Sequence, residues 1–108
     1  MFLITPNATF TTDVELHVPG TEPGKIKVTF KYLDKEKLAE WKVKHGSGPL
    51  VDGLKEIISD WSGVGLDDGT QAAYTDENLK QLLIAYHTAG QDILSAFYRE
   101  ILGARRKN

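Results

Sequence analysis

The sequence predicts an α+β fold, mainly α-helical, with an N-terminal β-hairpin over about residues 9–33 followed by about four helices over about 34–106. Two patterns predict it. Apolar and polar residues alternate over residues 10–18 and 26–32, the period of a half-buried strand. From Asp34 onward, apolar residues recur every three or four positions, the period of one helix face. With 108 residues and no internal repeat, the chain fits a single domain spanning 1–108, since domains run from about 50 to 250 residues. Apolar residues make up 41% and charged residues 26%, a balance that supports a core and lies far from that of disordered chains.

In the first strand Phe10, Val14, Leu16 and Val18 take even positions, and Thr11, Asp13, Glu15 and His17 take odd ones. After Pro19-Gly20-Thr21-Glu22-Pro23-Gly24 the pattern returns, with Ile26, Val28, Phe30 and Tyr32 on one face and Lys25, Lys27, Thr29 and Lys31 on the other. The pair reads as a hairpin with a long loop. Its polar face brings Asp13 and Glu15 near three lysines, and cross-strand pairing explains both charge sets more simply than a basic binding patch does. An isolated two-stranded ribbon is marginal in water, so a helical layer is expected over the apolar face.

Asp34 is placed to cap a helix running to about His45, with Glu36 in its first turn and Leu38 and Trp41 on one side. Gly46-Ser47-Gly48 ends it. Pro49 suits the first turn of a second helix, because its missing N–H has no intrahelical partner there. Leu50, Leu54, Ile57, Ile58 and Trp61 then form an apolar stripe that predicts helix as far as Gly63. The turn-rich stretch Gly63-Val64-Gly65-Leu66-Asp67-Asp68-Gly69 follows. Thr75 begins a third helix, with Asp76 and Glu77 near its positive end and Leu79, Leu82, Leu83 and Tyr86 along one face. Thr88 and Gln91 have the spacing of a capping box for a last helix, whose apolar face is Ile93, Leu94, Phe97, Tyr98, Ile101 and Leu102. The last two helices should pack as a helical hairpin or corner.

The chain contains no cysteine, which excludes disulfides, thiolate nucleophiles and Cys-ligated metal centres and points to a reducing compartment. Met1-Phe2-Leu3-Ile4-Thr5-Pro6-Asn7 lacks a basic leader, and its apolar run is too short for a secretory signal or a membrane span, so a cytosolic location without membrane contact is expected. A net charge of −2 gives no general attraction to phosphate backbones, so no nucleic-acid partner is expected. His17, His45 and His87 show no spacing that converges ligands on a metal. Gly63, Gly65 and Gly69 follow a helix at the wrong spacing for a dinucleotide loop, and Asp67-Asp68-Gly69 lacks the remaining acids of a calcium loop. Ser47, Ser59, Ser62 and Ser95 have no identifiable base, so no catalytic, cofactor-binding or metal-ligating residue is assigned. The expectation is a protein that binds other protein chains and is not an enzyme.

Asp52, Glu56 and Asp60 are spaced i, i+4, i+8 and would line one side of the second helix opposite its stripe. Like charges at that spacing cost about 0.2–0.5 kcal/mol per pair. A solvated acidic face is the plainer reading; the sharper one is that the row meets Arg105 and Arg106 of a neighbouring copy. Within one chain, Arg105-Arg106-Lys107 also complements the negative end of the last helix.

Ile58-Ser59-Asp60-Trp61-Ser62-Gly63-Val64, then Asp67-Asp68-Gly69, then Tyr74-Thr75-Asp76-Glu77-Asn78-Leu79 resemble, in that order, the tail assembly chaperones of long-tailed (siphovirus-like) bacteriophages and prophages. Phe97-Tyr98, the basic tail Ala104-Arg105-Arg106-Lys107-Asn108 and the hairpin exit Lys31-Tyr32-Leu33 extend the likeness over most of the chain. Two places depart from it: Ala72-Ala73 and His87 stand where that family often carries proline. The resemblance implies a non-catalytic protein of the host cytoplasm, missing from the mature virion, that binds the tape-measure protein, keeps it soluble and recruits tail-tube (major tail) subunits. It implies no cofactor. Often a longer product arises in that family by translational frameshifting. Self-association into a spiral or ring-like oligomer would let many small copies cover a long client. Trp41, Trp61, Val64, Leu66 and Tyr74 are candidate contact residues, being more apolar than their positions require, with core packing the competing role for both tryptophans. Two other readings are a structural head–tail or tail component of the virion and a small nucleic-acid-binding regulator. Only Arg105-Arg106-Lys107 and the hairpin lysines suggest the latter.

Overall fold

The computed structural model describes residues 1–103. Arg105 and Arg106 therefore lie outside the described residues. In chain order the elements are β1 (Thr9–Leu16), β2 (Gly24–Lys31), α1 (Lys35–His45), α2 (Leu50–Ile57), β3 (Ile58–Ser62), α3 (Asp76–Ala85) and α4 (Ala89–Leu102). This is the expected α+β arrangement of a hairpin followed by helices, with one correction. The segment read as the last part of the second helix is a strand, and it completes an antiparallel sheet of order β1-β2-β3.

The hairpin register places Phe10 opposite Phe30, Val14 opposite Ile26 and Asp13 opposite Lys27. Its inner face carries Val14, Leu16, Ile26, Val28 and Phe30, all buried. Its outer face pairs the charges: Lys27 Nζ lies 2.7 Å from Asp13 Oδ1, and Glu15 stands opposite Lys25. That ion pair holds the Asp13 carboxyl below its ordinary pKa, through the hydrogen bond from Lys27 first and its charge second. Tyr32, expected on the inner face, lies past the end of β2 and is 39% exposed.

Helix α2 ends at Ile57 because Ile58 is extended, with φ −96° and ψ 130°, and only its N–H still bonds back into the helix, at the Leu54 carbonyl. Ile58 then faces Phe30, Asp60 faces Thr29 and Trp61 faces Val28, so Ser59 is an extra residue, a β-bulge. Ser59 Oγ donates to the Thr29 carbonyl at 3.3 Å. The bulge explains the misreading. In a regular strand, residues three apart point to opposite faces; the extra residue turns Ile58 and Trp61 to the same buried face, and their spacing then imitates a helix.

Two predicted caps form. Asp34 accepts from the Lys37 N–H at 2.8 Å and Thr75 accepts from the Asn78 N–H at 3.0 Å. Thr88 makes no capping bond to the α4 backbone; its hydroxyl donates to Asp92 Oδ2 at 3.0 Å, and the same oxygen accepts from the His17 N–H at 3.0 Å. The expected capping box is thus replaced by a tie between the start of α4 and the end of β1. Pro49 precedes α2 as its N-cap rather than sitting in the first turn, a displacement of one residue.

Helix α4 lies across β1 and places Phe97 at the centre of the core, 5.3 Å from the Phe30 ring, 5.8 Å from Trp41 and 6.1 Å from Phe10. Arg99 Nη2 ties the far end of α4 to the Asp13 carbonyl at 3.2 Å. Gly90 lets α4 approach α2 closely: a Cβ there would stand 2.6 Å from Leu50 Cδ2. Leu102, expected on the buried face, is 60% exposed.

Candidate functional site

The turn-rich stretch after β3 is an ordered small hairpin. Ala72 N–H donates to the Val64 carbonyl and Leu66 N–H to the Thr70 carbonyl, each at 2.7 Å, while Gly69, at φ +88°, makes the reversal. Asp68 closes it by accepting from the Thr70 hydroxyl at 2.7 Å and the Thr70 N–H at 3.0 Å, and these bonds hold its carboxyl below its ordinary pKa. Gly63, at φ +86°, turns the chain out of β3 against the backbone of Ile26.

Trp61 fastens this hairpin to the core. Its Nε1–H donates to the Ala72 carbonyl at 2.8 Å, and its ring meets Tyr74 edge-on at 5.2 Å. Burial, reinforced by the nearby charge of Asp76, raises the Tyr74 pKa, and among the described residues its buried hydroxyl has no hydrogen-bond partner. Trp61 is therefore buried. Val64 is half-buried and Leu66 is 49% exposed at the hairpin tip.

Val64 and Leu66 line a trough of about 600 Å³ between the hairpin and α3, with Ala72, Leu82, Ala85 and Tyr86 completing its apolar lining and Asp67, Asp68, Asn78 and Gln81 its polar part. Val64, Leu82 and Tyr86 also line a smaller hollow of about 200 Å³ against Leu16, Val18 and Ile26 at the loop end of the sheet, so the two adjoin. Tyr86 ends α3 and is 37% exposed, facing the trough rather than the core that helical spacing assigned to it.

Trp41 belongs to a second region. It is buried, donates from Nε1 to the Gly53 carbonyl at 3.0 Å, and forms part of a groove of about 330 Å³ between α1, α2 and α4 with Leu50, Leu94, Gln91 and Tyr98. Lys42 stands 5.4 Å over the Tyr98 ring at its edge. Burial raises the Tyr98 pKa.

The carboxylate row does not exist as expected. Asp52 and Glu56 are on α2, but Asp60 is on β3, where its Oδ1 accepts from the Trp61 N–H at 2.9 Å. Glu56 is engaged within its own chain, by Lys44 Nζ at 2.7 Å and His45 Nε2 at 2.9 Å. The imidazole contact is close but off the angle of a directed hydrogen bond, so Lys44 is the stronger partner, and it leads in lowering the Glu56 pKa. Among the described residues, no three His, Asp or Glu side chains gather as a metal site, and no helix is long and apolar enough to cross a membrane.

Residues 1–8 form neither helix nor strand, and Phe2 and Ile4 are 98% and 99% exposed, with Met1 and Leu3 exposed beside them. Sequence reasoning read this run only as too short for a signal or a span. Its signal was the apolar run itself, held off by Pro6 from the alternation that begins at Phe10.

No curated protein and no solved structure matches the chain. The profile of the phage tail assembly chaperone family matches residues 1–108, its whole length, and the protein belongs to that family.

Proposed function

We infer that this member of the phage tail assembly chaperone family binds the tape-measure protein, keeps it soluble and recruits tail-tube subunits around it, without catalysing a reaction. The observation that carries the reading is the separation of apolar surfaces on so small a chain: the arm at Met1–Ile4, the trough at Leu66 and Tyr86, and the groove beside Trp41. A subunit of an array needs such separation, because it must meet its own copies and a client at once. The groove suits the client. Its aromatic floor and the adjacent Lys42 match an amphipathic helix that carries acidic residues beside its apolar stripe. The chain acts as a single domain in the host cytoplasm, self-associates along the client and leaves before the particle is complete; a core cluster drawing on the sheet and all four helices supports the first of these.

Co-purification tests the assignment of the groove. A tagged chain should retain the tape-measure protein, and Leu94→Lys, at a half-buried wall position, should lose at least roughly tenfold of that retention, the effect of about 1.4 kcal/mol. Retention equal to that of the unaltered chain, with the variant folded, would remove the client from this groove.

A further inference from the structure

We propose that residues Met1–Ile4 of one copy seat in the trough of the next, so that copies join head to tail. The contact rests on the self-association read above and names the surfaces that make it.

Most of the arm is out of reach of its own trough. It leaves the sheet at the Thr9 and Lys31 end, where the Ala8 carbonyl accepts from the Tyr32 N–H at 2.8 Å. The trough lies toward the other end, next to the hollow that Leu16, Val18 and Ile26 line, and reaches outward to Leu66. The eight residues of β1 separate the two by about 24 Å at ~3.4 Å per residue. From Thr9 back to Phe2 an extended chain reaches at most about 25 Å, so doubling back would bring Phe2 only to the near rim. Leu3 and Ile4 would fall short. A second copy has no such limit.

The chemistry of the two surfaces agrees. No charged side chain occurs from Met1 to Ala8, and Val64, Leu66, Ala72, Leu82 and Tyr86 give the trough its apolar lining, which it shares with the polar Asp67, Asp68, Asn78 and Gln81. Phe2 and Ile4 lie almost wholly in water, a cost that burial in a partner's trough would relieve. Because arm and trough lie at opposite ends of the sheet, the contact joins different surfaces of identical subunits, and repeated in one direction it builds a ring or an open spiral.

The lack of cysteine makes the test direct. A Phe2→Cys copy is mixed with a Leu66→Cys copy, both at exposed positions that should not disturb folding, and oxidised under conditions where the unaltered chain sediments as an oligomer. The expected result is a covalent heterodimer that forms far faster than the pairing of Phe2→Cys with Thr29→Cys, placed on the outer face of the sheet. Phe2→Asp should also weaken association at least roughly tenfold. Equal coupling to both sites, or no coupling while the chain still assembles, would overturn the arm-in-trough contact and leave self-association standing. A chain that stays monomeric at every concentration, with and without client, would overturn both.

Discussion

Trp61 shows how one side chain fixes a local structure. Its indole N–H satisfies the Ala72 carbonyl and its ring supports Tyr74, so the hairpin that carries Val64 and Leu66 is fastened by a buried bond to the strand before it. Trp61→Phe keeps most of the apolar bulk and leaves that carbonyl without its donor. It should lower the free energy of unfolding by about 1–3 kcal/mol, read as a fall in the denaturant midpoint at constant slope. The acid response also belongs to single residues. Asp13, Glu56 and Asp68 have folded-state pKa values below their ordinary 3.8, 4.5 and 3.8. Their contribution is complete above those values and is lost as pH falls through the lower folded ones. Stability should therefore decline shallowly below about pH 4.5, since all three are exposed, and Glu56→Gln should flatten part of the decline in thermal melts. Caps were legible at this scale only where the partner is local: Asp34 and Thr75 bond within their own first turns, whereas Thr88 and Asp92 are tied to His17, a contact that no short window of sequence contains.

At the scale of elements, the hairpin, α3 and α4 were legible from their periods, and α1 from the Asp34 cap before it and the Gly46 that ends it. Strand β3 was not, because the bulge at Ser59 gives Ile58 and Trp61 a helical spacing in an extended segment that follows a helix directly. The two readings differ in what a one-residue change does. Deleting Ser59 would leave Ile58, Asp60 and Trp61 opposite Phe30, Thr29 and Val28 as they now stand, with regular alternation. It should cost about 1 kcal/mol, like an ordinary substitution. Inserting an alanine between Asp60 and Trp61 would turn the indole to the outer face and should cost about 3–5 kcal/mol, the loss of a buried tryptophan. If residues 58–62 were helical, the deletion would swing Trp61 off the apolar stripe and be as damaging as the insertion. Chemical denaturation of the two variants decides between them.

For the whole molecule, the informative feature is where apolar surface remains uncovered. Val64 and Leu66 were legible as candidates because turn positions rarely require such residues, and both line the trough. Trp41 and Trp61 are mainly core, as their hydrogen-bonded indoles show. The arm and Tyr86 were not legible as surfaces. A short apolar run carries no period, and a residue at i+7 of a stripe cannot reveal that its helix ends just before it. The arm, the trough and the groove beside Trp41 are the surfaces through which this phage tail assembly chaperone is proposed to contact its own copies and a client. The measurement that bears most directly on this is co-expression with the tape-measure protein, scoring the soluble fraction of that client with and without this chain. The client should be largely insoluble alone and become soluble in complex with many copies of the chain; a client that stays insoluble and unbound in its presence would rule out the chaperone role proposed here.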